Sequence, residues 1–219
     1  MERSGYGLIE TIRVREGRIP LLDRHLARLR GSLAALGLPV PDRDLAALVR
    51  PFAEMGEAVL RLEVRDGTAA VTVGELPAAS APSVITASQR HVPYPHKTTE
   101  RDQFEEAAAE AEVAGADDAL LLTADGWVAE GTTWNLFWWE GDRLRTPAVG
   151  LGILPGIARA RVLELRAVEE GHFPREALAG PSLFLTNAVR GVMSVASLDG
   201  SAVPADARTA ELSRGFWPD

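Results

Sequence analysis

The stretch YPHKTTER, residues 94–101, holds Lys97, and of the 23 basic residues in the chain the other 22 are arginine. A guanidinium keeps its proton at any ordinary pH, whereas an ammonium can be desolvated, deprotonated and used as an amine nucleophile. The abundance of Ala, Arg, Gly and Pro points to a coding bias that replaces lysine with arginine wherever arginine serves. Lys97 then marks a position where an amine is required. Composition alone is equally satisfied by a lysine that survived by accident, so the neighbouring chemistry decides.

If an imine-forming lysine is to hold an anionic, ring-bearing cofactor, it needs an anion site, a group for the ring nitrogen and a wall for the ring plane. The run LGILPGIAR offers the first. Its loop enters a helix directly, so the backbone N–H groups of Gly156, Ile157 and Ala158 would point out of the helix N-terminus. The same run also reads as an ordinary helix start with Pro155 near its first turn. It is not a dinucleotide fingerprint, because Gly150, Gly152 and Gly156 have the wrong spacing. Arg28, in the helix HLARL, flanks the Leu26/Leu29 stripe and is a second anion candidate, or a solvated arginine lying over an apolar face. In WVAEGTTWN, Glu130 ends an apolar strand and is placed to hold a protonated ring nitrogen, or to face water in a turn. Tryptophans 127, 134, 138 and 139 read as core and interface.

These residues sit on a mixed succession of elements. GLIETIRVREGRIPLL predicts two short strands around a Glu-Gly turn. In the next segment Leu22, Leu26, Leu29, Leu33 and Leu36 recur at spacings of three and four, the apolar face of a helix stopped by Gly37 and Pro39. DRDLAALVRPFAEMG predicts a shorter helix interrupted near Pro51, and Asp66-Gly67 a hairpin. An Ala, Pro and Ser-rich stretch around one strand follows. Beyond it come a helix ending at Gly115, hairpins turning at Asp125-Gly126 and Gly141-Asp142, a helix over 156–171, and two strands in PSLFLTNAVRGVMSVASLDG. The expected organisation is a small α+β domain over 1–82, a linker over 83–95 and a larger domain over 96–219.

Apolar residues make up 46% and charged residues 25%, as in ordinary globular proteins. A net charge of −8 with scattered arginines excludes the basic patch that nucleic acid or an anionic membrane would require. The absence of cysteine removes disulfides, thiolate metal sites and a cysteine nucleophile. His25, His91, His96 and His172 form no metal-binding spacing. With no apolar run of membrane length and no signal-like start, the expected location is the cytoplasm.

In chain order, ETIRV, the HLxRL helix with Arg28, HKTT at 96–99, DDALLL, EGTTWNLF at 130–137, GILPGIAR at 152–159 and LTNAVRGV at 185–192 form a set. With these motifs the sequence resembles the class IV aminotransferases, the fold type IV pyridoxal-phosphate enzymes. That family includes branched-chain and D-amino-acid aminotransferases and 4-amino-4-deoxychorismate lyase. The resemblance runs from GLIETIRV to LDG, and the HKTT-x-R and TNA-x-RGV forms are nearest the lyase branch. It implies a mixed α/β fold of two domains, a small N-terminal one and a larger barrel-like one, with pyridoxal 5′-phosphate at their junction, in a homodimer. It makes Lys97 the Schiff-base lysine and Glu130 the partner of the pyridine nitrogen. Arg28 and the amides of Gly156, Ile157 and Ala158 become phosphate ligands, and Ala188 and Val189 close the phosphate cup. Arg13 and Arg190 are candidates for a substrate carboxylate.

The substrate expected on this basis is a small amino-bearing acid, foremost 4-amino-4-deoxychorismate split to 4-aminobenzoate and pyruvate. Amino-group transfer is the alternative, and a non-catalytic dimeric scaffold a further one. Three departures from the family stand out. Ala158 replaces a common threonine, Ala188 replaces another, and about twenty residues that usually precede the ETIRV motif are not present.

Overall fold

A computed structural model of the chain describes residues 5–77 and 80–218. The chain divides into two compact units. One takes the described residues of Met1–Ala78, His96–Glu100 and Pro218–Asp219, and the other those of Ala79–Pro95 and Arg101–Trp217.

The first unit is a three-stranded antiparallel sheet backed by helices. Strands β1 (Leu8–Val14), β2 (Ala58–Arg65) and β3 (Thr68–Gly74) pair in that order, with Leu8 opposite Val64 and Val14 opposite Ala58. Alternation puts Leu8, Ile12 and Val14 on the same face, where they meet Leu22, Leu26, Leu29 and Leu33 of helix α1 (Leu22–Ala35). The leucine spacing seen in the sequence is thus the seam of this core. Helix α2 (Leu45–Val49) gives way to a 3-10 segment, Arg50–Met55, with Pro51 at its start, where the missing N–H costs nothing. Asp66 and Gly67 both take positive φ, 48° and 74°, as a tight hairpin turn requires. The second strand expected after Glu16-Gly17 does not form: only an isolated Arg15–Arg18 bridge closes that turn, and Pro20 cannot donate to a ladder.

The second unit stacks two five-stranded sheets over a shared apolar core. One sheet has the order β13-β12-β4-β5-β6, from Ser201–Ala202, Ser197–Leu198, Ser83–Arg90, Asp118–Leu122 and Val128–Gly131. The other is β11-β10-β7-β8-β9, from Gly191–Ser194, Ser182–Asn187, Asn135–Glu140, Arg143–Pro147 and Val168–Gly171. Val84, Leu120, Leu122 and Val128 of one meet Leu136, Trp138, Leu183 and Leu185 of the other. Helix α3 (Asp102–Val113) crosses between the parallel strands β4 and β5 and covers Ala119 and Leu121. Helix α4 (Ile157–Leu165) links the parallel pair β8 and β9. Helix α5 (Ala207–Arg214) packs beside β11, and Trp139 Nε1 donates to its Thr209 at 3.0 Å. Trp134, Trp138 and Trp139 are buried, as expected of core residues.

Three boundaries differ from the sequence reading. The stretch 83–95 is no linker, because β4 is the middle strand of its sheet, and His96–Glu100 returns to the first unit. The helix expected over 156–171 stops at Leu165, since Val168–Gly171 gains a parallel partner in β8 that outweighs the helical preference of its glutamates. Helix α5, started by Asp206 accepting from the Arg208 amide at 2.8 Å, was not foreseen. Among the described residues no helix is long and apolar enough to cross a membrane.

Phe137 and Phe184, opposite each other on β7 and β10, stack with centroids 5.1 Å apart and are fully buried. Phe184→Ala is expected to lower the unfolding free energy by about 3–5 kcal/mol in urea denaturation. A loss under about 1 kcal/mol would mean that the layer collapses around the gap.

Candidate active site

Lys97 is held as an added edge of the first unit's sheet. The Ile9 amide donates to the Lys97 carbonyl at 2.9 Å, the Thr99 amide to the Gly7 carbonyl at 2.8 Å, and Leu8 bridges Thr98. The Gly7 amide donates back to Thr99 Oγ1 at 2.9 Å. A Cβ on Gly7 would lie 2.9 Å from the Val64 carbonyl, so a side chain there would push β1 off β2. On the other side His96 Nδ1 lies 3.1 Å from Ser32 Oγ of α1. The lysine backbone is therefore fixed from both flanks, and its side chain is half-buried.

Beside it in the same unit lies a buried charge cluster. Glu10, on β1 among the core leucines, accepts Arg28 Nε at 2.8 Å, Arg28 Nη2 at 2.6 Å and His25 Nδ1 at 2.6 Å. Burial alone would raise the Glu10 carboxyl. The charge of Arg28 and the bond from His25 override it and bring it down from 4.5 to about 2. His25 is pushed below its ordinary value, first by burial, against the opposing pull of Glu10, with further lowering from the charges of Arg28 and Lys97. Arg28 is thus a planar fork whose orientation Glu10 sets.

In the second unit Glu130 ends β6 and is 3% exposed. Its Oε1 accepts the Leu154 amide and His91 Nε2, each at 3.0 Å. The loop that supplies Leu154 runs into α4 through Gly156, which caps the helix with backbone alone: no side chain caps it among the described residues. The first-turn amides of α4 therefore have no acceptor within the helix. Asn135 pins this loop by donating to the Leu154 carbonyl at 3.1 Å, and its Oδ1 would lie 2.0 Å from a Cβ on Gly156. Behind Glu130, Asp118 accepts the Thr132 amide at 3.0 Å and its hydroxyl at 2.8 Å, with its own carboxyl raised by burial. Arg101 donates to the Thr132 carbonyl at 2.7 Å.

The other residues singled out from the sequence are placed as follows. Ile157 and Ala158 are buried at the start of α4. Ala188 and Val189 form the β10–β11 turn, where Asn187 Oδ1 already accepts the Val189 amide at 3.0 Å and the Arg190 amide at 2.9 Å. The Val189 amide is thereby committed within the turn, and only Ala188 of this pair offers its amide to an anion without breaking that bond. Arg13 is buried and paired with Glu57, and the Arg190 guanidinium lies over Trp134, 5.9 Å from its ring. Glu10, His25, His91, Asn135 and Asp118 had no assigned role in the sequence reading. The glutamate of ETIRV was the one visible signal, since a carboxylate in an otherwise apolar strand demands donors.

The sequence matches the family model for amino-transferase class IV over residues 7–198. It is 27% identical to a Methanocaldococcus jannaschii protein provisionally named a branched-chain-amino-acid aminotransferase, over 91% of this chain and 81% of that protein. It is 25% identical to the aminodeoxychorismate lyase of Bacillus subtilis, over 89% of this chain and 78% of the lyase. A crystal structure from Mesorhizobium loti, provisionally named an amino-acid aminotransferase, aligns with a TM-score of 0.80 at 31% identity. That alignment covers 88% of this chain and 99% of the other.

Two outcomes follow from the geometry. The Glu10 carboxyl lies lower in the folded chain than in the unfolded one, so its stabilisation is full above 4.5 and disappears as pH falls towards 2. Glu10→Gln should lower the unfolding free energy at neutral pH by on the order of 3 kcal/mol and flatten the acid limb of a stability-versus-pH curve over that window. A mutant acid limb matching wild type would remove Glu10 as its source. For the α4 loop, Gly156→Ala should cost about 1–3 kcal/mol by displacing Asn135. Adding Asn135→Ala should then cost less than it does alone, a coupling that a double-mutant cycle measures.

Proposed function

Because the chain belongs to the class IV amino-transferases, we propose that it is a pyridoxal 5′-phosphate enzyme acting on an amino-bearing carboxylic acid. The first-choice reaction is the cleavage of 4-amino-4-deoxychorismate to 4-aminobenzoate and pyruvate. Class IV enzymes use this cofactor, and the residues present fit it. The observation that carries the reading is Glu130: a buried carboxylate with both of its donors on Oε1, leaving Oε2 without a donor among the described residues. Such an oxygen suits a protonated ring nitrogen. The start of α4, which no side chain caps among the described residues, suits a phosphate.

In this reading Lys97 would hold the cofactor through its amine and would move the proton at the substrate carbon. Bound pyridoxal phosphate supplies the electron-withdrawing ring that makes that proton removable. Glu130 Oε2 would hold the proton on the ring nitrogen. The amides of Gly156, Ile157 and Ala158, with that of Ala188, would orient the phosphate, and Arg28, its plane set by Glu10, would add a guanidinium donor. Backbone donors would take the place of the hydroxyls that Ala158 and Ala188 lack. Arg190, held over Trp134, is the candidate for the substrate carboxylate. Arg13 is a second candidate, though a carboxylate there would have to compete with Glu57.

Cleavage needs no second substrate, since the proton taken from the ring carbon and the departing enol of pyruvate account for every atom. The HKTT-x-R and TNA-x-RGV forms and the likeness to the B. subtilis lyase favour it. The likeness to the M. jannaschii protein favours amino-group transfer, which requires a keto-acid acceptor.

The test is a visible spectrum of the protein with added pyridoxal phosphate, borohydride reduction and peptide mapping. A pyridoxyl group fixed on Lys97, and absent in Lys97→Ala, is expected. Release of pyruvate and 4-aminobenzoate with no keto acid added then supports the lyase. Product formation only when a keto acid is present selects the transaminase, and a protein that takes up no pyridoxal phosphate overturns both.

A further inference from the structure

We propose that His91 is a positioning residue for Glu130, fixing one carboxylate oxygen so that the other is presented to the cofactor ring; the proposal rests on the cofactor reading above. Three observations carry it. The His91 side chain is fully buried, and its Nε2 lies 3.0 Å from Glu130 Oε1, the oxygen that also accepts the Leu154 amide. Its other nitrogen, Nδ1, is buried with no hydrogen-bond partner among the described residues. A carboxylate oxygen accepts, so the hydrogen bond runs from His91 Nε2 to Glu130 Oε1. Among the described residues Glu130 has no arginine or lysine partner, in contrast to Glu10, whose charge Arg28 balances. Glu130 is thus held at Oε1 by two donors that fix its geometry and leave Oε2 to be met by something else.

The ring is itself held on several sides. The His91 amide donates to the Leu122 carbonyl at 2.8 Å, and the ring meets Phe104 of α3 edge-on, with centroids 6.3 Å apart. Gln103, also on α3, clamps the next residue, accepting from the Val92 amide at 2.7 Å and donating to its carbonyl at 2.8 Å. The Tyr94 amide donates to the Gly152 carbonyl at 2.7 Å, which ties the His91 segment to the loop that provides Leu154. A Cβ on Gly152 would lie 2.7 Å from the Pro93 side chain. The two donors to Oε1 are therefore parts of one stitched assembly, and His91 is the side-chain member.

The test titrates apo protein with pyridoxal phosphate, following the visible band and affinity, alongside thermal unfolding of the apo forms. Removing the donor with His91→Leu should weaken binding about tenfold or more, as expected for losing a hydrogen bond to a charged group, and shift the band. His91→Gln, which can place an amide N–H near the Nε2 position, should restore most of both. If His91→Leu fails to fold, His91→Asn takes its place, because its amide is too short to reach Oε1. Wild-type affinity and spectrum in a folded His91→Leu or His91→Asn would overturn the proposal alone, as would a His91→Gln no better than either. A role confined to packing would lower apo thermal stability and leave affinity untouched. A wild-type protein that binds no pyridoxal phosphate would overturn the functional reading, and this proposal with it.

Discussion

A carboxylate removed from water must be given donors, and among the described residues this chain buries three, Glu10, Asp118 and Glu130. An unpaired buried charge costs several kcal/mol even after relaxation. Glu10 and Glu130 therefore dictate what surrounds them. Glu10 draws His25 and Arg28 of α1 onto β1, which makes the helix register matter at two polar positions as well as at the leucine seam. Glu130 draws in His91 from the end of β4 and the Leu154 amide from the loop before α4. Each carboxylate gathers segments distant in sequence and holds them at hydrogen-bond precision, which a purely apolar core does not do.

Backbone carries much of the remaining positioning. Lys97 has no strand of its own; it borrows the edge of β1 through the Ile9 amide and the reciprocal Gly7–Thr99 bonds. At α4 the absence of a side-chain cap leaves the first-turn amides facing outward, and Asn135 fixes the loop from behind by its carbonyl. An alanine at position 158 is less of a loss in such a design, because the anion-binding potential of a helix start resides in its amides. The Asn187 turn shows the limit of the same economy: a side chain that orders the turn also occupies the Val189 amide.

What could be read from the sequence follows from how local each determinant is. The α1 leucines, the Asp66-Gly67 hairpin and the Gly115 stop act over a few residues, and all three were legible. The end of α4 was not, because Val168–Gly171 becomes a strand only through its partner β8. β4 was legible as a strand, but not as the middle strand of its sheet, because that place is defined by neighbours on both sides. Lys97, Glu130 and the Gly156 loop announced themselves by residue type and motif. His91 and Asn135 did not, since a histidine or asparagine takes a role only from the atom it faces, and that atom lies tens of residues away.

The two buried glutamates also separate structure from function on physical grounds. Glu10 has a cation on it, so its neighbourhood is balanced without any ligand, and its charge is spent on folding. Glu130 has an imidazole and an amide, which satisfy hydrogen bonding at one oxygen and leave the other without a donor among the described residues. A carboxylate oxygen left without a donor in a nearly buried side chain is open to a ligand that brings one. In the cofactor reading a protonated ring nitrogen would supply that donor. The asymmetry of the carboxylate, with one oxygen doubly bonded to protein and the other not, also states from which side the partner must come. Lysines and helix-start amides are found in many unrelated settings, but a buried carboxylate with one oxygen lacking a donor is less common. On that ground Glu130, more than the lysine that first drew attention, is the residue on which the cofactor reading stands.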